Sequence, residues 1–261
     1  MSYAVSIIGA GNVAWHLAPA LEKAGYRVRE VYNRSPRHAE QLATRLYDAT
    51  IGDSLDFTRS RSAIFIVAVT DDALPAVAAE LKLPEDAIVC HTSGTQPLEV
   101  LNRFPHAGVF YPLQTFSKSR KLEVSRIPFC LEATHPDTEE VLVEMAQRIS
   151  RTVYLMSSQE RKIMHIGAVF ACNFTNHLLD IAKQIVEREK LEFDLLKPLI
   201  EETFRKALEA GDPAMVQTGP AARGDTGLIQ QHLSYLDHNL MQQKIYRLLS
   251  ESILSRRGWE G

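Results

Sequence analysis

The chain has 261 residues, of which 45% are hydrophobic and 23% are charged, a composition typical of globular proteins. These values exclude a collagen-like, a coiled-coil and an intrinsically disordered chain. The formal net charge of -3 argues against a nucleic-acid scaffold or a polybasic membrane binder, and the length allows one large domain or two modest ones.

The first part of the chain alternates strand-like and helix-like patterns. Ser35 is expected to be an N-cap with Pro36 in the first helical position. Asp71 and Asp72 are expected to cap a helix that runs to about residue 81, with a position near the bound ligand as the alternative. Strands that alternate with helices predict a Rossmann-type, doubly wound and mostly parallel α/β sheet. Strands are predicted at 3–8, 27–32, 63–69, 87–91, 108–111, 128–132 and 152–156.

The second part of the chain shows only helical patterns. They cover 158–190, 194–210, 225–237 and 239–256. We therefore predict two domains, a sheet domain at 1–156 and an all-helical domain at 157–261. The middle of the first long helix is apolar and small, and this predicts that most of the helix is buried.

The cysteines and the N-terminus indicate the compartment. Cys90, Cys130 and Cys172 lie in apolar stretches without a CxxC pair, so we expect buried, reduced thiols in a cytoplasmic protein and no metal site. The first residues lead into a glycine motif without a basic segment, so a signal peptide is not expected. No apolar run approaches the length of a membrane span.

The glycine motif lies between the first strand and the first helix. Gly9 permits a tight turn, Gly11 allows close approach of a pyrophosphate, and Ala14 allows close packing of helix against strand. The amides at the helix start, around Asn12 and Val13, would then face the phosphates. The alternative is a strand–helix turn that needs glycines for its shape alone.

The end of the second strand predicts which dinucleotide binds. An NAD site usually has an acid there, but this chain has Asn33, Arg34 and Ser35. Asn33 can bond the ribose, Arg34 can pair with a 2′-phosphate, and Ser35 can offer its hydroxyl and amide. This favours NADP over the alternative of a surface arginine before an ordinary Ser-Pro cap.

Two further strand ends should lie near the nicotinamide, because ligands of such sheets bind at the carboxyl ends of the strands. Val69 and Thr70 follow one strand, and Ser93 and Gly94 follow the next. His91 is either catalytic or a packed core histidine.

Polar residues in the helical part are candidates for substrate contact. His165 and Asn173 lie on a helix that is otherwise apolar, where they either face a ligand or bond within the helical bundle. Arg223 could bind a substrate carboxylate, with a structural pair to Asp225 as the alternative. Asp225 is expected to be the N-cap of the helix that starts near Thr226.

Taken together, the motifs resemble a known family. In order they are GAGNVA, NRS, VAVTDDAL, HTSGT, FYPLQTFS and TGPAARGD. The chain resembles the bacterial family that joins a Rossmann-like NADP-binding domain to a helical C-terminal domain of unknown function with the signature TGPxARGD, here 218–225. More widely, it is similar to the 6-phosphogluconate dehydrogenase-like superfamily. The resemblance implies an active site in a cleft between the two domains and a homodimer formed through the helical domain.

Two positions depart from the pattern of that superfamily. Several relatives have a lysine four residues before an asparagine on the long helix, but here Val169 precedes Asn173. Relatives of the prephenate dehydrogenase type have His-Pro where this chain has Tyr111-Pro112. The candidate proton donors are therefore His165, Tyr111 and His91, with Ser93 and Asn173 as further candidates at the reacting centre.

The sequence as a whole predicts an NADP(H)-dependent oxidoreductase. The preferred hypothesis is hydride transfer to or from a small carbonyl or hydroxy acid, as in ketopantoate reductase, with Arg223 and Asn173 binding the substrate. The alternatives are an imine reductase of the pyrroline-5-carboxylate reductase type and a non-catalytic NADP-binding regulator. The expected partners are a small molecule and a second copy of the chain, and neither nucleic acid nor membrane.

Overall fold

The computed structural model describes residues 3–256, and its main feature is one eight-stranded sheet. The strand order is β3-β2-β1-β4-β5-β6-β7-β8, in which β1 to β6 are parallel, β7 is antiparallel to β6, and β8 is parallel to β7. The strands are β1 (Ala4–Ile8), β2 (Arg27–Tyr32), β3 (Thr50–Gly52), β4 (Ile64–Val67), β5 (Ile88–His91), β6 (Ala107–Pro112), β7 (Phe129–Ala133) and β8 (Val153–Leu155). The predicted mostly parallel Rossmann-type sheet is confirmed.

Ten α-helices occur in the described part of the chain, most of them where the periodicity predicts them. They are α1 (Asn12–Lys23), α2 (Pro36–Ala43), α3 (Leu74–Glu80), α4 (Pro136–Ile149), α5 (Ser158–Ala168), α6 (Thr175–Arg188), α7 (Lys197–Glu209), α8 (Pro220–Arg223), α9 (Thr226–Tyr235) and α10 (Leu240–Arg256). Ser35 is the N-cap of α2, as expected. The predicted caps Asp71 and Asp72 are wrong, because α3 begins at Leu74 after a turn and its N-cap is Ala73.

The core lies on both faces of the sheet. Successive residues of the central strands alternate between two apolar clusters, so that Ile64 and Ile66 pack on one face and Phe65 and Val67 on the other. These side chains are at most 1% exposed. Helices therefore cover the two faces, and only the strand ends remain for a site.

The chain divides into two compact units, Met1–Asn173 and Phe174–Gly261. Helix α5 belongs to the first of them. The boundary predicted after Met156 coincides with the end of the sheet, and as a domain boundary it stays a prediction. A π-helical segment, Val169–Phe174, follows α5 directly and ends where α6 begins.

Most of the long helix that includes α5 and α6 is exposed, so the prediction that most of it is buried is wrong for the single chain. Ile166 is 51% exposed and Phe170 is 66% exposed, and a Cβ at Gly167 would have no described atom within 4 Å. Cys172 is also exposed, in contrast to the expectation, whereas Cys90 and Cys130 are buried. The small residues of this helix leave open space instead of a close neighbour within the chain.

Candidate active site

The glycine motif adopts the tight geometry that the sequence predicts. Gly9 has φ +106°, and a Cβ there would lie 2.2 Å from the carbonyl oxygen of Ala68, so only glycine fits. The Gly9 amide donates to the carbonyl of Tyr32 over 2.7 Å. Gly11 is the N-cap of α1, and no side chain caps this helix. The first amides of α1 are therefore available to an anion.

A cavity of about 700 Å³ extends from this loop along the ends of β1, β2 and β4. All the predicted cofactor residues line it except Ser93 and Gly94. These lining residues are Gly9, Gly11, Asn12, Val13, Asn33, Arg34, Ser35, Val69 and Thr70. His38, in the first turn of α2, also lines the cavity and was not predicted. In the sequence, only its position three residues after the predicted N-cap Ser35 indicates that His38 lies near the cavity.

Asn33 holds the loop and the end of β2 together. Its Oδ1 accepts a hydrogen bond from the Ala10 amide, and its Nδ2 donates to the carbonyl of Ser35, each over 3.0 Å. Arg34 is exposed and makes no ion pair within the described chain, and the Ser35 side chain does not cap α2. A cation and a hydroxyl thus remain for a 2′-phosphate, so these residues fit NADP.

Tyr111 and His165 meet although 54 residues separate them in the sequence. Tyr111 lies in β6 and His165 in α5, and the phenol oxygen is 3.3 Å from Nδ1 of the imidazole. Burial raises the pKa of Tyr111 to about 12, so the phenol stays protonated at neutral pH. A Cβ at Gly94 would lie 2.7 Å from Tyr111 Cζ and 2.8 Å from His165 Nδ1, so this pair packs directly on the backbone of Gly94.

A chain of contacts links this pair to the cavity. Asp71 follows Thr70, which lines the cavity, and its carboxylate accepts a 2.5 Å hydrogen bond from the Thr95 hydroxyl. Thr95 is adjacent to Gly94, on which Tyr111 packs. Asp71 therefore holds the loop after β5 against the loop after β4 and does not cap α3. The loop after β5 thus contacts both the Tyr111–His165 pair and the loop that lines the cavity.

A buried arginine that the sequence did not predict fixes α5 in place. Arg161 is 1% exposed, and its guanidinium donates to the Glu132 carboxylate over 2.6 Å and to the carbonyl of Gln96 over 2.7 Å. It also donates to the Ser158 hydroxyl. These bonds join β7, the loop after β5 and α5, and so set the position of His165 one helical turn further on. A capping box of Ser157 and Glu160 fixes the start of the same helix.

Ser93 and His91 have structural contacts. Ser93 Oγ accepts hydrogen bonds from the amides of Thr95 and Gln96, and His91 Nδ1 accepts one from the amide of Ser93. His91 is fully buried, and burial together with the positive charge of Arg161 lowers its pKa to about 4. The packed-core alternative therefore describes His91 better than the catalytic one.

Two further predicted residues, Asn173 and Arg223, are exposed. Asn173 lies exposed in the π-helical segment, and Arg223 is the exposed last residue of α8 in the second unit. Neither makes a side-chain hydrogen bond or an ion pair within residues 3–256. Asp225 is confirmed as an N-cap, because its Oδ1 accepts from the Leu228 amide over 3.0 Å.

Between Tyr3 and Arg256, no group of His, Cys, Asp and Glu side chains is arranged to hold a metal ion. No helix in the same range has the length and apolar character needed to cross a membrane.

Two family models match this chain. Residues 1–115 match a Rossmann-like domain, and residues 127–253 match a domain of unknown function, DUF2520. No curated protein sequence is significantly similar to the chain.

Solved structures are similar over nearly the whole chain. A Bacteroides fragilis protein provisionally assigned as an NADP oxidoreductase is 37% identical, covers 97% of this chain and 98% of its own, and has a TM-score of 0.86. An imine reductase from Myxococcus stipitatus in complex with NADP+ is 16% identical, with coverage of 97% and 92% and a TM-score of 0.62. Plasmodium falciparum pyrroline carboxylate reductase with NADP bound is 12% identical, with coverage of 97% for both chains and a TM-score of 0.61. The last two share the fold.

Proposed function

The chain belongs to the family that joins a Rossmann-like domain to the C-terminal domain of unknown function, and on this premise we propose that it is an NADP(H)-dependent oxidoreductase. One observation carries the proposal. The Asp71–Thr95 hydrogen bond connects the cavity beside the glycine loop to the Tyr111–His165 pair. The cavity proposed to bind the nucleotide and the proposed proton donor thus lie at the same edge of one sheet.

Different residues of the cavity are proposed to bind different parts of the cofactor. The amides at the start of α1 take the pyrophosphate, because nothing caps them and Gly9 admits no side chain. Arg34 and Ser35 take the 2′-phosphate. Val69 and Thr70, which also line the cavity, are proposed to contact the nicotinamide half. When bound, the cofactor supplies or accepts the hydride.

Tyr111 and His165 supply the proton. In the reducing direction the substrate carbon gains a hydride and its oxygen gains a proton, and in this proposal the protonated phenol of Tyr111 gives that proton. His165, 3.3 Å away, can then return a proton to the phenolate. This pair replaces the lysine that several relatives have on the long helix. Ser93 acts on the reaction only through the loop that holds Gly94 in place.

The proposed substrate is a small carbonyl or hydroxy acid, as in ketopantoate reductase. Arg223 is proposed to bind its carboxylate, because the guanidinium has no ion-pair partner within the described chain and its planar fork suits a carboxylate. Asn173 is proposed as a second substrate ligand. The fold shared with an imine reductase and a pyrroline carboxylate reductase favours a cyclic imine as the second candidate.

The helical region, 157–261, is proposed to serve as substrate and dimerisation domain, with a second copy as the partner. Helices α6 and α7 contain no buried residue, and large apolar side chains on them are exposed. Leu199 is 63% and Leu208 is 83% exposed. Apolar surface of this extent favours a partner that covers it.

Oxidation of NADPH in the presence of a panel of 2-keto acids and cyclic imines tests the function. We expect turnover on a member of the keto-acid group and weaker or no turnover with NADH. Turnover only on imines would replace the keto-acid hypothesis with the second candidate. Tight binding of NADPH without turnover on any compound would contradict the oxidoreductase and support a non-catalytic NADP-binding regulator.

A further inference from the structure

A second large cavity lies in the first unit, beside α1. Its volume is about 1060 Å³, and its wall is strongly basic although the whole chain has a formal net charge of -3. One acid, Glu123, is part of the lining. The cationic lining residues are Lys23, Arg45, Lys118, Arg120, Lys121 and Arg148.

Most of this positive charge is not neutralised by the protein. Arg148 pairs with Glu144, but Lys23, Arg120 and Lys121 make no ion pair within residues 3–256. Cations collected around one concavity raise the local concentration of anions. The volume is close to the upper end of the range of small-molecule sites, about 1,000 Å³.

This basic cavity is separate from the cofactor cavity, because the two share no lining residue. Helix α1 lies between them. Asn12 and Val13 in its first turn line the cofactor cavity, whereas Trp15, His16 and Pro19 line the basic cavity.

Direct contacts nevertheless connect the basic cavity to the glycine loop. Lys118 Nζ donates to the carbonyl of Ala10 over 2.9 Å and lies 4.9 Å above the Trp15 ring. His16 Nε2 is 2.9 Å from the carbonyl of Ser117. The segment that contributes Lys118 to the basic cavity therefore also holds the loop on which the pyrophosphate is expected.

We propose that the basic cavity is a second binding site for a small anion that bears phosphate groups, and that its occupation weakens cofactor binding. Phosphate suits the site because guanidinium and ammonium groups bind it through charge-assisted hydrogen bonds. Two effects both weaken cofactor binding when the basic cavity is occupied. An anion beside α1 repels the cofactor phosphates, and it competes with the Ala10 carbonyl for the Lys118 ammonium. The proposed weakening of cofactor binding rests on the proposed function, whereas the proposed anion binding does not.

Inorganic pyrophosphate is the probe for the binding test. Trp15 lines the basic cavity, and the full chain with Trp259→Phe leaves it as the single tryptophan. At constant ionic strength we expect a saturable change in Trp15 fluorescence. In a second chain, Arg120→Gln with Lys121→Gln should raise the pyrophosphate Kd by about tenfold or more, equivalent to about 1.4 kcal/mol.

The matched control is Arg59→Gln with Arg61→Gln, which makes the same change in net charge at exposed positions before β4. It should leave the pyrophosphate Kd unchanged. An equal increase in both double variants, or an increase in neither, would overturn the site.

NADPH titrations at increasing pyrophosphate test the coupling. With separate sites, the apparent Kd of NADPH should rise and then level off, and the same factor should appear in the pyrophosphate Kd at saturating NADPH. An apparent Kd that rises without limit would mean competition for one cavity and would overturn the proposal. If NADPH does not bind at all, the proposed function fails, while the fluorescence titration still decides on the anion site.

Discussion

The contact between Tyr111 and His165 is information that the structure adds to what the sequence predicts. Each was a candidate proton donor by itself, but no local pattern indicates that a β6 residue and an α5 residue lie 3.3 Å apart. Gly94 belongs to the same group, because a side chain there would overlap both. The glycine motif, in contrast, was predictable at the level of atoms, since its function depends on neighbours in the chain.

Removal of the Tyr111 hydroxyl should affect the reaction and not cofactor binding. For Tyr111→Phe we expect kcat to fall by about 10²- to 10⁴-fold, the usual contribution of a positioned acid, with an unchanged Kd for NADPH. Stopped-flow rates and fluorescence titration give the two values. Tyr154→Phe, at a tyrosine that is 56% exposed, is the control. Equal kcat values for the two variants would exclude Tyr111 as the donor.

Arg34 should determine the preference for the phosphorylated dinucleotide. Arg34→Gln is expected to raise the Kd of NADPH by about tenfold or more, because a charge-assisted hydrogen bond contributes about 1.5–3 kcal/mol, and to leave the Kd of NADH nearly unchanged. Isothermal titration with both nucleotides measures this. Arg37→Gln removes the same charge at an exposed position that does not line the cavity. An unaltered NADPH Kd in Arg34→Gln would refute the assignment.

The buried His91 should make folding stability dependent on pH. Its pKa is about 4 in the folded chain against an ordinary 6.5, so between these values the unfolded chain binds more protons. The stabilisation is complete above pH 6.5 and is lost as pH falls towards 4, by about 3 kcal/mol in total. Urea unfolding from pH 7 to 4 should show a smaller pH dependence for His91→Asn. An identical dependence in the variant would contradict the prediction.

At the scale of elements, apolar runs and turn residues predicted most of the sheet. The central strands were predictable because they are buried on both faces and read as continuous apolar segments. Strand β3 was missed because it is an edge strand of three residues, Thr50–Gly52. The aspartates before α3 resembled helix caps, but a turn separates them from the helix and Asp71 bonds Thr95 instead. Local patterns do not reveal such tertiary partners.

The Arg161–Glu132 ion pair should be necessary for the position of α5. In Arg161→Met the Glu132 carboxylate, which is 20% exposed, loses its cation, and we expect a decrease of about 3–5 kcal/mol in the free energy of unfolding. Urea denaturation measures this. The double variant with Glu132→Leu should recover part of the loss, because it leaves no unpaired charge. A loss below about 1 kcal/mol in Arg161→Met would contradict the structural role.

At the scale of the whole molecule, the two units differ in how much core they contain. The sheet has extensive apolar clusters on both faces, whereas the buried cluster of the second unit consists of Ala221, Ile229 and Leu233. Amphipathic periodicity predicted these helices well. It did not predict which apolar faces are covered within one chain, because periodicity does not distinguish a core from an interface.

The proposed dimer should therefore be visible in solution. We expect sedimentation equilibrium to give a dimer whose Tm rises with protein concentration. Leu199→Glu with Leu208→Glu should shift the protein towards monomer, because both side chains are more than half exposed in one chain. Tyr47→Glu, at a tyrosine of the first unit that is 88% exposed, should remain dimeric. A monomer at every concentration would refute the dimer.

Asn33 has a consequence for the redesign of nucleotide preference. The usual way to convert such a site to NAD is to place an acid at the end of β2. Here the side-chain amide of Asn33 occupies that position. Its Nδ2 donates to the carbonyl of Ser35, and its Oδ1 accepts from the backbone amide of Ala10. A carboxylate could keep the second bond but not the first, since it has no proton to donate. A substitution of Asn33 that changes the nucleotide preference thus also removes a hydrogen bond that shapes the loop. A redesign of this site must therefore replace that hydrogen bond as well.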